Sequence, residues 1–310
     1  MKLSIIVPCY NEEKNIKPFY EEVLKVIKLK REEYELIFIN DGSKDNSIEV
    51  LNKLYEKDKR IIVLDFSRNF GKEAGIYAGL QNANGDYLAI IDADLQQKPE
   101  YLNQMLEILE TKPEYDCVAA YQGHRSEGKF MTWCKKKFYQ VINQWADVEL
   151  KEAASDFRVF TKRYANAILS LPELCRFSKG IFSWVGFNTY YLEYEVAPRL
   201  NGKSKWHFGS LMRYALTGIV SFSTKPLMIS SVLGIIICLI AFIYTVIVIL
   251  KTVLYGEPVA GYPTLMCVLL FGIGFQLLTL GIAGLYLSNM YVEIKKRPIY
   301  ILKDKKESHV

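Results

Sequence analysis

Two long stretches of this 310-residue chain contain no charged side chain: 227–250 (LMISSVLGIIICLIAFIYTVIVIL) and 262–291 (YPTLMCVLLFGIGFQLLTLGIAGLYLSNMY). A helix rises about 1.5 Å per residue, so each stretch exceeds a hydrocarbon layer about 30 Å thick. Joined by a short loop, they read as a transmembrane hairpin (spans about 227–250 and 263–289) rather than as buried helices of a soluble core. Arg199, Lys203, Lys205, Arg213 and Lys225 precede the first span. Lys295, Lys296, Arg297, Lys303, Lys305 and Lys306 follow the second, whereas the loop holds only Lys251 and Glu257. The positive-inside rule then predicts a multi-pass cell-membrane protein with both termini cytoplasmic. Met1-Lys2 runs directly into LSIIVPCY with no secretory leader, so the large N-terminal region is expected in the cytoplasm as well.

That region alternates two kinds of pattern. LSIIVPCY (3–10), ELIFIND (35–41), IIVLDFS (61–67), YLAIIDA (87–93) and DCVAAYQ (116–122) are continuous apolar runs, suited to strands buried on both faces. Helical patterns occupy 12–28, 45–58, 71–83 and 99–111, with Asp45 and Lys98-Pro99 as start signals. Strand–helix alternation predicts an α/β fold around a mainly parallel, Rossmann-like sheet. The pattern changes after residue 122. Residues 130–146 and 207–225 look like amphipathic helices, and the second leads into the first span, as an interfacial helix would. The divisions are therefore 1–122, 123–206, an interfacial helix over 207–226, the hairpin over 227–291 and a basic tail over 292–310.

Several function classes are disfavoured. The net charge is +5, and its excess sits beside the spans, where anionic lipid headgroups of the inner leaflet would attract it, so no nucleic-acid partner is needed. The six cysteines show no metal-ligand or redox spacing, and three histidines make a His-rich metal centre implausible. No GxGxxG follows the first strand and no GxxxxGK[ST] occurs, which leaves dinucleotide and P-loop cradles unsupported.

In open α/β sheets, ligands bind outside the carboxyl ends of the strands. Those ends carry Pro8-Cys9-Tyr10-Asn11-Glu12, Asn40-Asp41-Gly42-Ser43, Ser67-Arg68-Asn69-Phe70-Gly71-Lys72 and Asp92-Ala93-Asp94-Leu95-Gln96. Four polar clusters converging on one edge make a site. Carboxylates ending an apolar strand are costly unless paired. The Asp92-x-Asp94 pair with Gln96 suits a hard divalent cation, Mg²⁺ or Mn²⁺, with positions left open for phosphate oxygens.

SIIVPCYNEEKNI, ELIFINDGSKDNS, RNFGKEAG and DADLQQKPE, in this order, resemble glycosyltransferase family 2 with its GT-A fold. The two spans narrow the resemblance to polyprenyl-phosphate glycosyltransferases, similar to dolichol-phosphate mannose synthase and to bacterial undecaprenyl-phosphate glucosyltransferases. The resemblance implies a nucleotide-sugar-binding core over 1–122 and an acceptor side over 123–206. It assigns the donor to Pro8, Tyr10, Asn11, Glu12, Asp41, Gly42, Ser43, Lys72 and Asp92, and the metal to Asp94, Gln96 and Asp92. Ser155-Asp156-Phe157-Arg158 matches the segment whose aspartate faces the sugar, which makes Asp156 catalytic alongside Asp94; without the resemblance, Asp156 would pass equally for a helix cap. Arg125, Ser126, Lys135, Lys136 and Arg158 correspond to groups that grip the lipid phosphate. Processive synthases of the family carry Q-x-x-R-W, whereas Gln140-Val141-Ile142-Asn143-Gln144-Trp145 lacks the arginine, which favours transfer of a single sugar.

The expected function is inverting transfer of one sugar from UDP-glucose or UDP-N-acetylglucosamine to undecaprenyl phosphate. The resulting lipid-linked sugar would serve modification of cell-envelope glycans. The rivals are a GDP-mannose-dependent mannosyltransferase and a non-catalytic nucleotide-sugar-binding scaffold. Small-residue faces at Gly272-Ile273-Gly274 and Gly281-Ile282-Ala283-Gly284 leave room for a homo-oligomer.

Overall fold

The structure is a computed structural model that describes residues 2–30, 33–122, 140, 143–144, 151, 154–195, 197, 218–255 and 261–308. Arg125, Ser126, Lys135 and Lys136 lie outside the described residues, as do most of the two amphipathic segments.

Strands without polar alternation need cover on both faces, and the fold supplies it. β1 (Leu3–Cys9), β2 (Tyr34–Asn40), β3 (Ile61–Phe66) and β4 (Tyr87–Ile90) run parallel in the order β3-β2-β1-β4. Ile5, Val7, Leu36, Phe38 and Val63 point to one face. There they meet α1 (Glu13–Val26), α2 (Ser47–Lys57) and α4 (Tyr101–Thr111) through Phe19, Leu51 and Met105. Ile6, Ile37, Ile39 and Leu64 point to the other face, toward α3 (Lys72–Gln81). The strand period of two thus divides one apolar run between two cores.

Beyond β4 the sheet continues with β6 (Ala154–Thr161), β5 (Cys117–Tyr121) and β7 (Thr189–Glu193), giving eight strands in the order β7-β5-β6-β4-β1-β2-β3-β8. Only β6 and β8 (Leu302–Lys306) run against the rest. α5 (Lys162–Leu169) and α6 (Ser178–Trp184) cover the α3 face through Tyr164 and Phe182.

Two long helices, α7 (Lys225–Tyr255) and α8 (Tyr262–Ile294), are long and apolar enough to cross a membrane. Leu239, Phe242, Phe271 and Leu277 are all more than half exposed on them. Apolar surface on that scale requires cover, which is consistent with association with a membrane. A side chain added at Gly272, Gly274, Gly281 or Gly284 would meet nothing, so within one chain these small faces are unpacked.

After α8 the chain returns to the sheet. Tyr300 stacks on Phe66 at 5.0 Å, the Ser67 amide donates to the Ile301 carbonyl (3.0 Å), and β8 pairs antiparallel with β3. The stretch anticipated as a basic tail therefore contains a sheet strand, and Lys303, Lys305 and Lys306 are the charges that guard an edge from further pairing. Glu293, near the end of α8, accepts the amides of Leu174 (2.8 Å) and Cys175 (3.0 Å) ahead of α6. Tyr286 donates to the Ser223 carbonyl (2.6 Å). Glu293→Ala should strand both amides and destabilise this junction by about 1–3 kcal/mol. Thermal unfolding of the detergent-solubilised protein checks this, and Glu293→Gln, which keeps an acceptor, should lose less.

Candidate active site

The antiparallel placement of β6 builds the site. Ile90 at the end of β4 lies opposite Arg158, so Asp156, two residues earlier on β6, stands at the level of Asp92. Asp156 therefore belongs to a strand, not to a helix cap. Lys72, the first residue of α3, follows Gly71 in the left-handed region (φ +96°) and reaches across to both carboxylates. Its Nζ lies 2.8 Å from Asp92 Oδ1 and 3.0 Å from Asp156 Oδ2. Burial alone would raise the Asp156 pKa, but the charge of Lys72, then Lys179 and Arg158, outweighs it and holds this carboxyl well below the usual range. Burial likewise opposes the Lys72 charge, and Asp92 and Asp156 reverse that, raising its pKa well above the ordinary lysine value.

Behind this trio sits Gln97, buried and bifunctional. Its Oε1 accepts the Asp92 amide (3.1 Å) and its Nε2 donates to Ser155 Oγ (3.1 Å), joining the β4 turn to the segment that carries Asp156. Leu95 takes a left-handed conformation (φ +58°). Asp94 Oδ1 accepts the Gln96 amide across that turn (3.1 Å). Asp92, Asp94 and Gln96 provide oxygen donors only, all partly exposed. This donor set fits a hard divalent cation. Among the described residues, no three His, Cys, Asp or Glu side chains gather into a closed cage. The ensemble therefore fits an ion shared with a ligand's oxygens better than one enclosed by protein.

The remaining residues that the resemblance assigns to the donor lie at and just beyond the carboxyl ends of β1 and β2. Asp41, 4 % exposed, accepts the amides of Phe70 (2.6 Å) and Gly71 (3.0 Å) and so shapes the loop that presents Lys72. Burial raises the Asp41 pKa, and these two hydrogen bonds oppose the rise. Gly42 (φ +60°) is required where it stands, since a Cβ would lie 2.4 Å from the Arg68 carbonyl carbon. Asn11, itself left-handed (φ 55°), donates its amide to Ser43 Oγ (3.0 Å), and its Oδ1 accepts the Lys44 amide (2.8 Å). Glu12 accepts Asn15 Nδ2 (2.6 Å), while Pro8 lies where a side chain at Gly75 would touch it. Tyr10 is half-buried in the same turn. Arg158 departs from this group: it points under α6, one strand repeat beyond Asp156 on the same face.

A family model for glycosyl transferase family 2 matches residues 4–169, more than half of the chain. The chain belongs to that family. This glycosyltransferase is 40% identical over 308 residues to the bactoprenol glucosyl transferase of Shigella phage SfV, covering 99% of this chain and 100% of the relative. It is also 40% identical over 304 residues to a prophage bactoprenol glucosyl transferase homolog of Escherichia coli, covering 98% and 99%. Among solved structures, glucosyl-3-phosphoglycerate synthase from Mycobacterium tuberculosis, in complex with Mn²⁺, uridine diphosphate and phosphoglyceric acid, superimposes with a TM-score of 0.52. The match covers 71% of this chain and 76% of that one at 15% identity, a likeness of fold.

Three residues of the glycosyltransferase escaped the sequence patterns. Gln97 stands beside Gln96 in an apparent doublet, and only its burial distinguishes it. Lys179 carries no local signal. Glu73 accepts the Ser178 amide (3.1 Å) and hydroxyl. Burial, then repulsion by Asp156, pushes its carboxyl up to about 7 from an ordinary 4.5, with Ser178 and Lys72 opposing. The folded state thus retains a proton on Glu73 that the unfolded chain has released. Its contribution to stability is fully present below pH 4.5 and lost as pH rises through 7. Across that window the thermal midpoint of Glu73→Gln should fall less with rising pH than that of the wild type, measured in parallel pH-stepped unfolding scans.

Proposed function

We propose that this enzyme transfers one glucose from UDP-glucose to undecaprenyl phosphate, with inversion at the anomeric carbon. The observation that carries the reading is the Asp92–Lys72–Asp156 trio at the carboxyl edge of the sheet, in a chain matched end to end by bactoprenol glucosyl transferases. In the proposed step a phosphate oxygen of the acceptor attacks the anomeric carbon, the bond to the donor diphosphate breaks, and the nucleoside diphosphate departs with the bonding electrons. A phosphate monoester, with its second pKa near 6, is already largely anionic at neutral pH and needs no strong base.

The acidity of Asp156 fits that chemistry. A carboxylate held well below the usual range is a poor proton acceptor, so Asp156 serves to orient the acceptor and to stabilise positive charge developing on the sugar. Asp92, Asp94 and Gln96 would hold Mg²⁺ or Mn²⁺, which supplies neutralisation of the diphosphate charge. Pro8, Tyr10, Asn11, Glu12, Asp41, Gly42 and Ser43 would line the nucleotide. Direct attack by the acceptor phosphate is a single displacement, which inverts configuration. The return of β8 to β3 supports an orientation in which the hairpin leaves and re-enters on one side. The Lys and Arg residues flanking both spans make that side cytoplasmic, facing the inner leaflet.

The test is a panel of nucleotide sugars, GDP-mannose included, offered with undecaprenyl phosphate to the membrane-embedded protein. Lipid-linked glucose is expected from UDP-glucose; no lipid-linked product from any donor would refute transfer. Chelation should abolish activity and Mg²⁺ or Mn²⁺ restore it. Asp94→Ala should remove turnover while leaving the protein folded. Asp156→Asn should depress kcat more than it raises the donor KM, and an equal effect on both would move Asp156 into the donor site.

A further inference from the structure

α6 begins without a cap of its own. The first amides of a helix lack intrahelical partners, and Phe177, at the N-cap position, carries no side-chain oxygen to accept them. The acceptor comes from another helix. Glu73 Oε2, in the first turn of α3, accepts the Ser178 amide (3.1 Å) and the Ser178 hydroxyl. The contact is reinforced one turn along α3, where Tyr77 shares a helix face with Glu73. The Arg176 guanidinium carbon lies 4.7 Å from the centre of the Tyr77 ring. Arg176 is buried, and its Nη1 donates to the Leu171 carbonyl (2.6 Å). Glu73 and Tyr77 together hold the segment that leads into α6. α3 itself is seated hard against the sheet, since a Cβ at Gly79 would fall 2.3 Å from Ile6 Cγ2 of β1.

The neighbours of this contact give it a bearing on the reaction. Lys72 precedes Glu73 on α3, and Lys179 follows Ser178 on α6. Both ammonium groups act on the charge of Asp156, Lys72 in direct contact (3.0 Å) and Lys179 through its field. The Lys72–Glu73 peptide bond, the Glu73–Ser178 hydrogen bonds and the Ser178–Lys179 peptide bond thus form one continuous link between the two cations. A shift of α6 against α3 would change the field at Asp156, the carboxylate that the reaction needs charged and in place. Burial and Asp156 push the Glu73 carboxyl up to about 7. Glutamine, a neutral side chain with an oxygen acceptor, is therefore a near replacement for its protonated form.

We propose that Glu73 is a positioning residue for the transfer: by capping α6 from α3, it fixes where Lys72 and Lys179 stand about Asp156. The inference rests on the transfer reaction proposed above. Its test is steady-state kinetics of the full-length, membrane-embedded protein with UDP-glucose and undecaprenyl phosphate, on variants shown by thermal unfolding to be folded. Glu73→Ala should lower kcat about 10- to 100-fold, as loss of alignment at a reacting centre does, with the donor KM little changed. Glu73→Gln, which keeps an oxygen for Ser178, should recover most of the rate. Ser178→Ala should lower kcat less, because its amide still donates, and should cost nothing further when added to Glu73→Ala. A folded Glu73→Ala with the wild-type kcat, a donor KM that rises as much as kcat falls, or a Glu73→Gln no better than Glu73→Ala would each overturn the assignment. Should Glu73→Ala not fold, Ser178→Ala decides alone, and a wild-type kcat there would overturn it. With an active wild type, any of these results leaves the transfer reaction standing, whereas a wild type that transfers no sugar from any donor would refute both.

Discussion

One lysine between two carboxylates is the contact on which the rest of the site depends. Asp92 lies two residues beyond β4, Asp156 stands in the first half of its antiparallel neighbour, and without Lys72 they would be like charges side by side at a partly buried edge. The structure invests heavily in delivering that ammonium group. Asp41 is buried in order to hold the amides of Phe70 and Gly71, Gly71 turns in the left-handed region, and α3 starts at Lys72. Gln97 performs the corresponding task below, fixing the Asp92 amide to Ser155. Charge and backbone thus set the spacing of Asp92 and Asp156 together.

A second constraint ties this centre to the two long apolar helices. Glu293 on α8 holds the amides of Leu174 and Cys175, α6 begins at Ser178, and Ser178 binds Glu73, the neighbour of Lys72. β8 closes the circuit by pairing with β3 after the second long helix. The hairpin is therefore joined to the segment that leads into α6 and, through β8, to the sheet. For a reaction whose acceptor is a lipid, such a connection fixes the height of the site relative to the headgroups.

Much of this was legible in the sequence, and the exceptions share a cause. The runs at 3–10, 35–41, 61–67, 87–93 and 116–122 became β1 to β5, because continuous burial on both faces leaves a local signature. The convergence of Asp41, Lys72, Asp92 and Asp94 followed from the rule that ligands gather at strand ends. What the sequence could not convey was long-range pairing. Placing Asp156 beside Asp92 requires β6 to insert next to β4 across a separation of 68 residues (158 minus 90). β8 was hidden in the same way, since LKDKK reads as a solvated tail until β3 supplies its partner. Lys179, on α6, and Glu293, on α8, look like ordinary surface charges until α6 settles on the sheet and the segment before it meets α8.

The measurement that bears most directly on the central contact is the pH–rate profile of Lys72→Met in a variant shown by thermal unfolding to be folded. With the cation gone, the Asp156 carboxyl should titrate at higher pH. Transfer should then fall about 10- to 100-fold at neutral pH, as expected for loss of a charged partner, and its acidic limb should move to higher pH than in the wild type. A variant with the wild-type rate and the wild-type profile would contradict the account.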